Sequence, residues 1–243
     1  MRQDVLELRR FYASPLGQAA TRLIARKVGE AWGEVAGLDV LGLGYPLPLL
    51  TQTGARRLIA AMPAAQGVEV WPTDGANASC LVHDSALPFA NALFDRIVAL
   101  HALEESDSPA QLMREVGRVL APTGRLIVAA TARHGFWADA ETTPFGHGRT
   151  FSRRQLETLI AEADLQPLGW TRVLYLPPLQ GAHRWADALE GLGARLAPLA
   201  AGVILMEAGK QTFAAIPRGV RERVRATPVF QPAAVRRGVG LAA

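Results

Sequence analysis

Several places in this chain bring together residue types that can do chemistry. Asp84 and Ser85 follow an apolar run, where a carboxylate can accept both hydrogens of an amino group and a hydroxyl can lie beside it. Taken alone, an Asp in that place more often caps a turn or a helix. Gly42 and Gly44 close another apolar run and lead into Tyr45. Glycines after a strand let backbone N–H groups approach a ligand, but a lone Gly-x-Gly also reads as a tight exit from a buried strand. Leu100 and His101 end a third run, and a histidine at a strand end is a candidate base or substrate ligand as well as an ordinary structural residue. In the stretch 143–152, Gly146, His147 and Gly148 make a flexible tip beside Arg149, whose forked cation suits a carboxylate or phosphate; the bland alternative is a plain surface connection. Tyr12, after Phe11 and ahead of Ser14 and Pro15, is open to a role over such a site, whereas Phe11 reads as packing.

The elements needed to position these residues alternate between helix and strand. Apolar runs suggest strands at 38–43, 56–61, 68–71 or 78–83, 95–100, 125–131, 168–176 and 202–214. Helices are expected at 3–13 and 15–32, the second capped by Ser14 with Pro15 in the first turn, where its missing N–H costs nothing. Further helices are expected at 109–120 and 182–197, and at 153–164 behind the capping box Ser152 to Gln155. This alternation implies an α/β fold: a Rossmann-like, mainly parallel seven-stranded sheet with helices on both faces, an antiparallel last strand and an N-terminal helical extension. In such sheets ligands bind beyond the carboxyl ends of the strands, near the point where strand order reverses.

Composition narrows the function classes. With 243 residues, 49% apolar and 20% charged, the chain can bury one large core. Cys80, the single cysteine, cannot form an internal disulfide and reads as core filling in a reducing cytosol; no metal site is expected. Residues 196–206 are apolar but are bracketed by Arg195 and Glu207, well short of the roughly 20 residues of a membrane span. With a charged amphipathic start and no signal-peptide run, the expectation is a cytoplasmic protein. The net charge of +4 divides unevenly. From Pro217 onward six arginines face Glu222 alone, giving +5, and +4 less +5 leaves −1 for the rest. This tail, rich in proline, reads as flexible and largely unpacked, and no aromatic residues interleave its arginines as base stacking on RNA would require. Nucleic-acid or membrane contact through it is the lesser reading. The tryptophans at 32, 71, 137, 170 and 185 are assigned to packing.

Four stretches taken in order carry a family resemblance: Asp84 to Phe89, Phe94 to Val98, Leu100 to Glu104, and Leu120 to Val128. Together they resemble the second half of a class I S-adenosylmethionine-dependent methyltransferase. The first half is divergent: Gly42 stands where the family usually has an acid for the methionine amino group, and Pro46 and Pro48 replace flexible N–H donors. The family usually ends its second strand with an acid for the ribose hydroxyls, but between Ala55 and Val68 only Gln66 offers a side-chain acceptor. Loss of a charge-assisted bond of about 1.5–3 kcal/mol would weaken cofactor binding by roughly one to two orders of magnitude. The resemblance implies S-adenosylmethionine as cofactor, with S-adenosylhomocysteine as product. It implies Gly42, Gly44, Tyr45, Met62, Pro63, Asp84, Ser85, Leu100 and His101 around the cofactor, with Asp84 on the adenine and His101 near the sulfonium. For the substrate it points to Tyr12, His147 and Arg149, with His101 as the candidate catalytic group.

The expected organisation is a helical lid segment at 1–34, a methyltransferase-like domain at 35–216 with a helical insertion at 177–199, and the basic tail at 217–243. The wording around residues 42, 62 and 144 looks like a bacterial branch with its own first glycine motif. Two functions follow from the resemblance: a methyltransferase acting on a small polar molecule, or an inactive binding or regulatory subunit that docks a protein partner through the crevice rim or the insertion.

Overall fold

The computed structural model describes residues 3–50, 54–179, 181–210 and 231–232. Two helices come first. In α1 (Val5–Ala13) the Asp4 side chain caps the backbone N–H groups of Leu6 and Glu7, and in α2 (Pro15–Trp32) the Ser14 hydroxyl accepts from the Gly17 N–H at 3.1 Å. Ser14 itself is extended, so the chain bends sharply between the two helices. The α2 face made of Ala19, Ala20, Leu23, Ile24 and Val28 is buried.

That face covers one side of a mixed sheet. Its parallel part contains β1 (Asp39–Gly44), β2 (Arg57–Pro63), β3 (Ser79–Val82), β4 (Phe94–Leu100) and β5 (Leu120–Thr131), in the spatial order β3-β2-β1-β4-β5. Beyond β5 lie β7 (Val203–Lys210) and then β6 (Leu165–Val173), and β7 runs antiparallel to both neighbours. Every residue of β1 is buried, which is why the strand reads as an unbroken apolar run. The second face carries α3 (Pro109–Val119), which buries Leu112, Met113, Val116 and Val119, and α4 (Arg153–Ala161), where Ser152 and Gln155 form the expected capping box. The insertion holds a short 3₁₀ turn at 182–185 and α5 (Ala186–Leu196).

The fold class stands as expected, and the differences lie at element edges. β5 begins at Leu120, because Leu120 pairs with Phe94 ahead of a bulge that the strand absorbs before Arg125 meets Arg96. The helix expected over 182–197 is split: its first turn tightens after Gly181, which sits at φ +85°. Trp185 corrects the packing assignment. It is 69% exposed, whereas Trp137 is fully buried and donates Nε1–H to the Leu176 carbonyl at 2.7 Å. Cys80 is half-buried in edge strand β3, short of full core filling. In the tail, Gln231 and Pro232 form a two-residue β8 antiparallel to β6. The rest of 217–243, like the end of the run expected at 202–214, lies outside the described residues.

The strand order reverses between β1 and β4, so the crevice opens where those two strands end. Gly44 makes the join possible. It sits at φ +88°, and a Cβ there would collide with the Leu100 carbonyl. Gly44→Ala is therefore expected to lower the unfolding free energy by about 2–4 kcal/mol in a urea titration. Gly29→Ala, inside α2 with open space around it, should instead be neutral or stabilising by up to about 1 kcal/mol.

Candidate active site

At the reversal point, the β1 and β4 ends are tied by the Tyr45 N–H donating to the Leu100 carbonyl at 2.8 Å. The chain then turns back so that Pro46 and Leu50 lie over Gly42. Tyr45 is buried, stacks on Tyr12 with ring centres 5.6 Å apart, and donates its hydroxyl to Glu69 at 2.7 Å. Burial and the neighbouring Glu69 raise the Tyr45 phenol above its ordinary value.

His101 stands one residue past β4. It takes φ +54°, a left-handed conformation that costs a non-glycine residue about 1–2 kcal/mol and marks a place where the surroundings impose the backbone. Its ring is 2% exposed, lies 4.7 Å from Phe145, and shares a hydrogen bond of 2.7 Å between Nε2 and the Tyr12 hydroxyl. Burial pushes the imidazole down to about 3, so it is neutral at pH 7. Tyr12 arrives from α1, where Phe11 packs edge-on against Tyr12, Trp137 and Phe145. The crevice beyond the ends of β1 and β4 is thus filled by an aromatic cluster fixed by the buried Tyr12–His101 pair.

Glu104 lies three residues past His101 and is also buried. Its Oε1 accepts from the Thr131 N–H at 2.8 Å and the Thr131 hydroxyl at 3.2 Å, while Oε2 has no hydrogen-bond partner. Burial pushes this carboxyl up to about 7, against the pull of the Thr131 bonds.

Along the sheet, the ends of β2 and β3 enclose a cavity of about 160 Å³. Pro63, Gln66, Asp84 and Ser85 line it. Met62, next to Pro63, is fully buried beneath. Ser85 Oγ sits 2.7 Å from His83 Nδ1, and Asp84 is half-buried at the wall. Gln66 is 4% exposed, and both its side-chain Oε1 and Nε2 lack partners. Its backbone carbonyl accepts the Val5 N–H at 2.8 Å, so the start of α1 is latched to this loop.

A larger cavity, about 870 Å³, lies against α1. Residues from α1, from the loop after β5 and from the segment after β6 line it, and His147 is among them, with Nε2 2.7 Å from the Glu141 carbonyl. Gln3 borders both cavities.

The structure therefore gathers Tyr12, Tyr45, Leu100 and His101 into one cluster, and Pro63, Asp84 and Ser85 into the smaller cavity. Gly42 and Gly44 serve chain packing beside the first group. The structure does not bring Arg149 to His147. Arg149 faces a separate concavity with Arg133, Ser108 and Gln155, while its backbone N–H donates to the Glu104 carbonyl. Glu104 and the buried amide of Gln66 are what sequence reasoning left out of the site. Gln66 was visible as the lone acceptor in its loop; nothing in the sequence marked Glu104 as a buried acid. Among the described residues there is no cluster of three or more metal-ligating side chains, and no helix is long and apolar enough to cross a membrane.

Residues 38–128 match a family model described as a methyltransferase domain. Solved structures share the fold. A SAM-dependent methyltransferase from Thermotoga maritima is 16% identical, with a TM-score of 0.61 over 85% of this chain and 96% of that one. An S-adenosylmethionine-dependent methyltransferase from Mesorhizobium loti is 14% identical, with a TM-score of 0.51 over 75% and 95%. Geranyl diphosphate C-methyltransferase from Streptomyces coelicolor A3(2), in complex with Mg²⁺, geranyl diphosphate and S-adenosyl-L-homocysteine, is 16% identical, with a TM-score of 0.53 over 77% and 76%. No curated protein matches the sequence.

His101 and Glu104 set opposite pH dependences. An unfolded histidine takes its proton near 6.5 and this one only near about 3, so the contribution of His101 is present above 6.5 and lost as pH falls towards 3. Glu104 holds its proton up to about 7 against 4.5 in an open chain, so folding loses stability as pH rises from 4.5 through 7. Glu104→Gln should remove the second effect. Urea unfolding at about pH 5 and about pH 8 should show the variant gaining on the wild type by roughly 2 kcal/mol across that interval.

Proposed function

We propose that this protein is a methyltransferase that uses S-adenosylmethionine, a reading supported by the match of residues 38–128 to a methyltransferase-domain model and by the shared fold. The observation that carries the reading is Gln66. A buried side-chain amide without partners is costly, on the order of 1–3 kcal/mol, and this one borders a cavity at the strand end where a ribose belongs in this fold. Ribose hydroxyls would satisfy it.

The fit to the cofactor is good at the adenosyl end. Gln66 would take the ribose, Asp84 the adenine amino group, and Pro63 with Ser85 the flanks. At the other end the glycine positions offer no open donor loop, because Pro46 lies over Gly42 and the Tyr45 N–H is used by Leu100. Tyr45, Leu100, His101 and Tyr12 form that end instead. Since about 160 Å³ falls below the roughly 300 Å³ of a typical small-molecule site, the cavity must widen to admit the whole cofactor. α1 is the element placed to do this: it bends from α2 at Ser14, carries Tyr12 into the crevice, and is latched to the ribose loop through Val5. These contacts support a lid in the N-terminal helical segment, with α1 as its moving part.

When bound, S-adenosylmethionine supplies an electrophilic methyl group on a sulfonium. The protein's part is to hold an acceptor O, N or S in line with it, and alignment in a water-poor site is the largest available contribution. Neutral His101 can take a proton at Nε2 once Tyr12 releases it, but a group with so low a proton affinity gives modest assistance. His147 lines the side from which an acceptor would reach His101.

Calorimetric titration of the whole protein with S-adenosylhomocysteine tests the reading. Binding is expected, and Asp84→Ala and Gln66→Ala should each weaken it several-fold, about 1 kcal/mol apiece. An unaffected Asp84→Ala would remove that residue from the site. If the wild type does not bind, the function moves to a subunit without catalysis.

A further inference from the structure

The large cavity beside α1 identifies the kind of molecule the protein acts on. We infer that the acceptor is an uncharged, predominantly apolar molecule of ring-system or isoprenoid size, seated between α1 and the loops that follow β5 and β6. The inference rests on the methyltransferase reading for the word acceptor; the chemistry of the cavity stands apart from it.

Size is the first argument. The cavity holds about 870 Å³, near the top of the roughly 300–1,000 Å³ found for ligand sites, and a small polar metabolite would leave most of it as water. The second is the lining. Phe11, Pro15, Leu16, Pro144 and Pro178 supply apolar surface, interrupted by polar side chains such as Thr142, His147 and His183, and the prolines offer no N–H to recognise a polar group. Charge is the third. Glu7 and Glu141 balance Arg10 and Arg184, so the wall has no net sign with which to select an ion. Arg149, the cation best suited to an anionic acceptor, faces elsewhere.

Placement completes the case. Phe11 forms part of this cavity and packs 6.1 Å from Phe145, whose ring lies 4.7 Å from His101. One aromatic layer separates the cavity from the Tyr12–His101 pair. An apolar body lodged here lies against that layer, and movement of α1, which carries Phe11, would open the cavity to the crevice.

Two fluorescent probes test this on the full chain: N-phenylnaphthylamine, which is neutral, and anilinonaphthalene sulfonate, its anionic counterpart. The neutral probe should bind one to one, with the sulfonate gaining no more than about threefold. Phe11→Asp should weaken the neutral probe by about tenfold or more, because a carboxylate replaces apolar wall. Phe11 belongs to a packed aromatic cluster, so Leu16→Asp is the second variant; its acid falls in the first turn of α2, where the helix dipole favours it. It should lose the probe to the same extent and keep S-adenosylhomocysteine. Leu196→Ser, on an exposed apolar side chain far along α5, should change nothing. Unchanged probe binding in folded Leu16→Asp, loss of binding in Leu196→Ser, or a sulfonate about tenfold tighter than the neutral probe would each overturn the inference. If the probes behave as expected while S-adenosylhomocysteine fails to bind the wild type, the methyltransferase reading falls and the apolar cavity stands.

Discussion

A single buried contact, the Tyr12 hydroxyl against His101 Nε2, joins the N-terminal helix to the functional end of the sheet. Each partner would be an expensive buried polar group without the other. Because Tyr12 is supplied by α1 and His101 by the end of β4, the bond fixes where α1 lies, and α1 in turn walls the larger cavity. The stacked Tyr45 and the ring of Phe145 enclose the pair and remove it from water. The left-handed backbone at His101 is held by the same packing.

The two buried ionisable groups near this contact respond to protons in opposite ways. His101 is kept neutral by loss of solvent, while the same cause, only partly relieved by Thr131, lets Glu104 hold its proton up to about 7. Below that pH the region therefore carries little formal charge. That suits an acceptor without charge of its own, since no strong local field would have to be offset on binding.

Much of the fold was legible because local chemistry and global architecture agree. Ser14 with Pro15, and Ser152 with Gln155, predict helix starts that the structure keeps. Asp84 and His101 fall at strand ends, where a parallel sheet places its ligands. The site was less legible because burial and direction depend on contacts distant in sequence. Gln66 is enclosed by a helix more than fifty residues before it, at Val5. Glu104 looks like one more acid in a run of acids until Thr131 folds against it. His147 and Arg149, two residues apart, part company because Gly148, at φ +73°, turns the chain between them while the Arg149 N–H is claimed by Glu104. Trp185 shows the limit of composition: a large apolar side chain need not be inside.

The walls of the large cavity come from α1, the bend at Ser14, and two connections, and no strand contributes to them. The sheet supplies stability; the connections supply the shape of the opening. Replacements there leave strand pairing untouched, so outside the packed ring of Phe11 the cavity can be reshaped in small steps while the scaffold is kept. Such a division makes the chain a convenient starting point for laboratory evolution, with randomisation confined to about three short segments.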